Sequence, residues 1–181
     1  MKSATIRSVD PHRDAAACAA IYAPHVEASA VSFEEEPPDA VQLAERIART
    51  TRTHPWLVAE CDGEVVGYAY GCAHRSRAAY RWAADVSVYV DEGRRGEGCG
   101  RALYVELLER LRRQRLQVAC AGITLPNEAS VALHESLGFV AVGVYRRIGW
   151  KAGAWRDVGW WQLELKSRSG GPPAEPLPPE A

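Results

Sequence analysis

Lysine is nearly absent from this chain: Lys2, Lys151 and Lys166 are the three among 22 basic residues, and the other 19 are arginine. Against 23 acidic residues the formal net charge is −1, so no large basic footprint for nucleic acid is indicated. Cys18, Cys61, Cys72, Cys99 and Cys120 are odd in number and none forms Cys-x-x-Cys. No charged-then-apolar leader opens the sequence, so a reduced, cytoplasmic setting is the expectation. No apolar run approaches a membrane span, and no membrane partner is expected. His12, His25, His54, His74 and His134 show no metal-ligand spacing, and no metal is expected.

What the sequence does have is a glycine-rich stretch from Ser87 to Leu103, with Gly93, Gly96, Gly98 and Gly100 within eight residues. Val86, Val88 and Val90 alternate with Ser87 and Tyr89, the period of a strand. From about Arg101 the period becomes helical, with Leu103, Leu107 and Leu111 at i, i+4, i+8. A strand, a glycine loop and a helix start make an anion site, because uncovered amides and the helix N-terminus both favour negative charge. A plain glycine-rich turn joining strand to helix is the alternative. No Lys-Ser/Thr follows the glycines, which disfavours a nucleoside-triphosphate P-loop. Gly96-x-Gly98-x-x reaches Arg101, so the dinucleotide fingerprint fails as well.

The rest of the chain supplies the fold class. Residues 4–9 read as a strand, followed by an Asp10-Pro11 helix start and a helix interrupted near Pro24. A loop over 28–38 holds Phe33 and a solvated glutamate run, and Asp39-x-x-Gln42 opens a second helix. Strands at 56–61 and 64–70 flank the turn signal Asp62-Gly63. A strand over 81–90, the glycine loop, a helix over 101–114, a strand over 118–125 and a helix from Asn127 follow. An antiparallel pair, 139–148 and 157–165, joined by a Gly/Trp-rich loop, ends the folded part. The order β-α-α-β-β-β-α-β-α-β-β predicts an α/β fold of the α+β type, a mixed, largely antiparallel sheet flanked by about four helices. One domain spans 1–166, and the Gly/Pro-rich tail 167–181 is expected to be disordered.

Arg95-Gly96-Glu97-Gly98-Cys99-Gly100 resembles the pyrophosphate loop of the GNAT acetyltransferases, and the element order is that of their fold. The segments His74–Tyr80, Val88-Tyr89-Val90, Leu125-Pro126-Asn127, Leu133–Phe139 and Trp155–Gly159, taken together, resemble the phosphinothricin and methionine sulfone/sulfoximine N-acetyltransferases. That resemblance runs from about Ile6 to Leu165. It implies acetyl-CoA as cosubstrate, a small amino-acid analogue as acceptor and a homodimer. Backbone groups of Val88, Tyr89 and Val90 would line the pantetheine and acetyl carbonyl. Residues Arg95, Gly96, Glu97, Gly98, Cys99, Gly100 and Arg101 would cradle the pyrophosphate, and Asn127 would bond the pantetheine arm. Asn127 is equally well placed as a helix cap.

An α-ammonium must lose a proton before it attacks, so a base is needed. The family places a glutamate three residues before Val-Tyr-Val, where this chain has the shorter Asp85. Asp85 reads as the base, directly or through water, or as an ion-pair partner of Arg75 or Arg77. His134, seven residues after Asn127, reads as the acid for the departing thiolate or as a core-edge side chain. Arg75 and Arg77 would share a side of an extended backbone and, with Phe33, shape the substrate site; surface arginines and ordinary core packing are the plainer readings. Cys99 has no base paired with it in sequence, which favours direct attack by the amine in a ternary complex. A non-catalytic acyl-CoA-binding module is the runner-up, followed by an acetyltransferase acting on a protein N-terminus or an aminoglycoside.

Overall fold

A computed structural model describes residues 4–167 and 170–180. Strand β1 (Thr5–Ser8) leads into helices α1 (Pro11–Glu27) and α2 (Ala40–Thr50). Strands β2 (Trp56–Cys61), β3 (Glu64–Ala73) and β4 (Ala83–Val90) precede α3 (Cys99–Arg113). The chain continues through β5 (Val118–Leu125), α4 (Glu128–Ser136), β6 (Val140–Lys151) and β7 (Ala154–Glu164). This is the expected order. The seven strands form one sheet, β1-β2-β3-β4-β5-β7-β6, in which β4–β5 is the parallel pair. No helix among the described residues is long and apolar enough to cross a membrane.

Local chemistry accounts for the boundaries. The Asp10 carboxylate caps α1 through the His12 and Arg13 amides, and Asp39 and Gln42 form a reciprocal capping box on α2. Asp62 and Gly63, both with φ > 0, turn β2 into β3. Two expectations are corrected. Helix α1 runs through Pro24 to Glu27, because the missing proline N–H removes a single bond in the last turn and Pro24 O still accepts from Ala28 N. The Gly/Trp-rich stretch is strand rather than loop: Trp150 pairs with Trp155, and only Ala152-Gly153, both left-handed, makes the turn.

The sheet has a core on each face. Leu103, Leu107 and Leu111 of α3 are fully buried against one, as their spacing predicts. Tyr22 and Val26 of α1 and Leu43 and Ile47 of α2 cover Trp56 and Tyr68 on the other. In the tail, residues 168, 169 and 181 lie outside the described residues. Residues 170–180 form no helix or strand, yet they lie against the body rather than free. Trp82 Nε1 donates to Ala174 O at 2.9 Å, Arg81 forks onto Glu175 at 2.6 and 2.8 Å, and Leu177 exchanges two 2.9 Å bonds with Gln114. A proline-rich segment has little backbone entropy to lose on such docking.

Candidate active site

Strands β4 and β5 pair over three residues, Ala83 to Asp85 against Val118 to Cys120, and then part. Beyond that point β4 continues to Val90 and β5 to Leu125 with no ladder between them. On its other side β4 stays paired with β3 throughout. The bonds Asp91 N to Val66 O and His74 N to Ala83 O fix the alternation of that ladder. Asp85, Ser87 and Tyr89 exchange their main-chain bonds with β3, so Val86, Val88 and Val90 turn theirs toward the open wedge. The wedge therefore presents unpaired amides from Val88 and Val90, whereas the main chain of Tyr89 is spent on Tyr68. This corrects the assignment of Tyr89 as a backbone contact. Its ring instead packs on the α1 face, 4.9 Å from Tyr22.

The glycine loop closes one end of the wedge. Gly96 and Gly98 have φ of +80° and +85°, and a Cβ added to either would meet open space. These are positions that only glycine adopts without strain. Gly98 is the N-cap of α3 and offers no side chain, so the first amides of α3 stay uncapped. An open concavity of about 600 Å³ lies there, lined by Gly98, Arg101 and Ala102 among others. Arg94 pairs with Glu97 at 2.8 Å and Arg95 with Glu92 at 3.0 Å, which fixes the loop. Arg101 donates to Ser136 Oγ at 2.9 Å and ties α3 to α4. The Cys99 side chain is buried, and burial pushes its thiol pKa up, so only its amide faces the loop. Asn127 Oδ1 caps α4 by accepting from Ser130 N at 3.1 Å, and the residue also lines a cavity of about 690 Å³ between α4 and β7. Capping uses the oxygen and leaves the amide nitrogen, so both readings of Asn127 are compatible.

Asp85 stands on the opposite face from the α3 core, beside Cys72, its register partner on β3. Its partner is neither arginine but His74: Nδ1 lies 2.6 Å from Oδ1. Burial holds the Asp85 pKa above the ordinary carboxylate value, against the pull of His74 and Arg75. Cys120 completes a trio whose polar atoms all lie within 4.8 Å of one another. His74 carried no signal in sequence beyond its place in the His74–Tyr80 segment.

The arginine pair is placed differently from the expectation. Residues 74–77 form a bend, not an extended strand, so alternation does not put Arg75 and Arg77 on one side. Arg75 donates to His74 O at 3.2 Å, and Arg77 is exposed at the head of a short 3₁₀ turn, Ala78–Tyr80. Phe33 is half-exposed and lies over Gly149 of β6, and Lys151 Nζ donates to Glu34 O, so the 28–38 loop is docked on the β6–β7 hairpin. Glu34 leaves the solvated run: it holds Arg46 at 2.6 and 2.8 Å and accepts from Tyr22 OH. A cavity of about 200 Å³ lies on this face, lined by Tyr22, Glu34, Arg46, Trp56, Tyr70 and Cys72.

His134 is buried, and both ring nitrogens are taken. Nδ1 is 2.7 Å from Ser130 O, which only accepts, so Nδ1 carries the proton; Nε2 then accepts from Tyr104 OH at 3.0 Å. Burial lowers its pKa. With no nitrogen left for a thiolate, this histidine packs between Tyr104 and Phe139 as a core-edge residue, which corrects the acid assignment.

Residues 6–160 match the acetyltransferase (GNAT) domain. The chain belongs to the GNAT acetyltransferases. As a GNAT protein it is an N-acetyltransferase by family. It is 39% identical over 165 residues, 91% of this chain and 87% of the relative, to the phosphinothricin N-acetyltransferase of Streptomyces viridochromogenes. It is 38% identical over 162 residues, 89% of this chain and 94% of the relative, to the L-methionine sulfoximine/L-methionine sulfone acetyltransferase of Salmonella typhimurium. The crystal structure of a GNAT phosphinothricin acetyltransferase from Sinorhizobium meliloti in complex with AcCoA superposes with a TM-score of 0.91. It shares 34% identity and covers 96% of this chain and 95% of its own.

Proposed function

We propose that this GNAT protein transfers the acetyl group of acetyl-CoA to the α-amino group of a small amino-acid analogue of the phosphinothricin or methionine sulfone/sulfoximine type. The observation that carries the reading is the wedge between β4 and β5, with a glycine-lined helix N-terminus at one end and the Asp85–His74 pair on the opposite sheet face. Two reactants can then approach from two sides and meet where the strands part, which suits direct attack in a ternary complex. Loop amides of Gly96 to Arg101 would hold the pyrophosphate. Unpaired main-chain groups of Val88 and Val90, with Asn127, would hold the pantetheine and the acetyl carbonyl. An amide aimed at that carbonyl stabilises the oxyanion formed on attack. The Asp85 centre supplies the base, and Arg75, Arg77 and Phe33 bind the acceptor. The chemistry of the relatives' substrates, a carboxylate plus oxygen-rich side chain, suits guanidinium donors.

An acceptor bearing several cations is disfavoured by the same arginines, and a non-catalytic binding module is disfavoured by the buried carboxylate–imidazole pair. A homodimer through β6 is part of the proposal. β6 is the terminal strand of the sheet and exposes Val140, Val142, Val144, Tyr145, Ile148 and Trp150. An apolar edge of that kind calls for cover, and a second copy supplies it. Five free cysteines suit a reduced cytoplasmic setting.

The deciding experiment follows thiol release from acetyl-CoA with phosphinothricin, methionine sulfone, methionine sulfoximine, kanamycin and a peptide amine. Turnover confined to the first three supports the proposal. Turnover only with kanamycin or the peptide replaces the acceptor class, and tight acetyl-CoA binding without turnover on any amine favours the binding module.

A further inference from the structure

We infer that His74, through Nε2, takes the proton from the substrate ammonium and that Asp85 is its positioning residue. The inference rests on the acetyltransferase reading above and assigns its base to a residue outside the expected set. Asp85 stands where the family pattern has glutamate, and its side chain is one methylene shorter. The Asp85 carboxylate is met by His74, whose Nδ1 sits 2.6 Å from Oδ1. A carboxylate accepts, so Nδ1 carries the hydrogen and Nε2 keeps its lone pair. Among the described residues nothing hydrogen-bonds Nε2, and His74 is partly open to solvent. His134 shows the contrast, with both nitrogens committed and the side chain buried.

The ring is also held. Its backbone N–H bonds Ala83 O at 3.4 Å, and the Tyr80 and Trp160 rings meet it edge-on at 5.8 and 5.9 Å. A base fixed in tautomer and orientation by a carboxylate is the arrangement that makes imidazole an effective proton acceptor. The groups facing it come from five segments: Asp85 on β4, Cys72 on β3, Cys120 on β5, Trp160 on β7, and Arg75 and Tyr80 on the connection. Burial pushes the Cys72 and Cys120 thiols up to about 11, so both are neutral and neither competes for the proton. A neutral Cys120 also makes an acyl-cysteine route unfavourable. Asp85 is then the one anion in the group, and Arg75 the one cation.

The protons balance as follows. One proton of the ammonium passes to Nε2, leaving a neutral amine whose lone pair forms the bond to the acetyl carbon. Collapse of the tetrahedral adduct breaks the carbon–sulfur bond, and the nitrogen loses a second proton as the amide forms. That proton balances the thiolate as free thiol, and the imidazolium returns the first to solvent.

His74→Gln and His74→Ala test the assignment, with kcat/KM for the amine measured across pH alongside acetyl-CoA affinity and thermal unfolding. Both variants should lose about 10²–10⁴-fold in kcat/KM at neutral pH, the range for a lost general base. Acetyl-CoA affinity should be unchanged. The loss should narrow at high pH, where the amine is already neutral, and added imidazole should restore part of the activity of His74→Ala. Nitrogen-15 NMR of the wild type should show the Nδ1–H tautomer of His74, which Asp85→Asn should disturb. Wild-type activity in His74→Gln, or an Nε2–H tautomer in the wild type, overturns the inference. An active wild type with unimpaired His74→Gln sinks this assignment alone, whereas a wild type that acetylates no amine sinks the acetyl-transfer reading and this one with it.

Discussion

The ring of Phe33 lies directly over Gly149: a Cβ built on that glycine would fall 2.2 Å from Phe33 Cε2. The contact joins the α1–α2 connection to the bulged middle of β6, where the register shifts between Tyr145 and Gly149. Any side chain at 149 therefore moves Phe33. Gly149→Ala should swing the ring aside, since the obstructing atoms are the far end of a rotatable side chain. With Phe33 in the proposed acceptor site, KM for the amine should rise while acetyl-CoA affinity and the melting temperature stay close to wild type. An unchanged amine KM would remove Phe33 from the substrate site.

Gly98→Val tests the loop. At φ +85° a branched side chain costs about 1–2 kcal/mol or more in backbone strain and covers the amides at the start of α3. Losing one contact to a charged group, about 1.5–3 kcal/mol, corresponds to about 10–100-fold weaker acetyl-CoA binding. Calorimetric titration of a folded variant checks it, and unchanged affinity would reassign the cofactor site.

Arg77 is exposed on the β3–β4 connection, three residues after His74. Arg77→Ala should raise the amine KM by about 10–100-fold, from one charge-assisted contact, and leave acetyl-CoA untouched. Arg77→Lys should recover part of the loss, since an ammonium keeps the charge without the fork. Michaelis curves with each substrate varied in turn decide between the two sites.

Stability at low pH should depend on Asp14. Its carboxylate is fully buried and holds Arg7 at 2.6 and 2.8 Å while accepting from Asp10 N at 2.8 Å. Burial alone would raise its pKa, but the Arg7 and Asp10 bonds outweigh it and the net shift is downward. A depressed folded-state pKa contributes stability that is fully present above the unfolded value of about 3.9 and lost as pH falls through the folded one. Asp14→Ala should cost about 1.5–3 kcal/mol at neutral pH, the range for hydrogen bonds to charged groups, because the partly exposed Arg7 keeps Glu60 as a second partner at 2.8 Å. Urea unfolding of wild type and Asp14→Asn at neutral and acid pH should show their difference shrinking below about pH 4.

Val142→Glu should turn a dimer into a monomer without unfolding it, since Val142 is 61% exposed on the free edge strand. Sedimentation velocity reads the outcome. A wild type already monomeric at micromolar concentration would remove the dimer from the proposal.

What the sequence determined by itself was whatever depends on near neighbours. The capping box of Asp39 and Gln42, the Asp62-Gly63 turn, the stacked leucines of α3 and the φ > 0 glycines of the loop are each set within a few residues. Element order follows from those signals, and with it the GNAT fold. The Trp-rich hairpin is not legible from near neighbours because its ladder partner outweighs the local breakers, whereas α1 continues through Pro24 because a proline in the last turn removes a single bond. Tertiary structure alone decided how the site residues are used. Asp85 and His74 are eleven positions apart and meet because the antiparallel β3–β4 register carries the end of one strand past the start of the other. His134 lost its free nitrogens to Ser130 and to Tyr104 across the α3–α4 contact, and Tyr89 spent its main chain on β3. A side chain's hydrogen-bond partners are a property of packing, and packing brings together residues whose separation along the chain carries no trace of it.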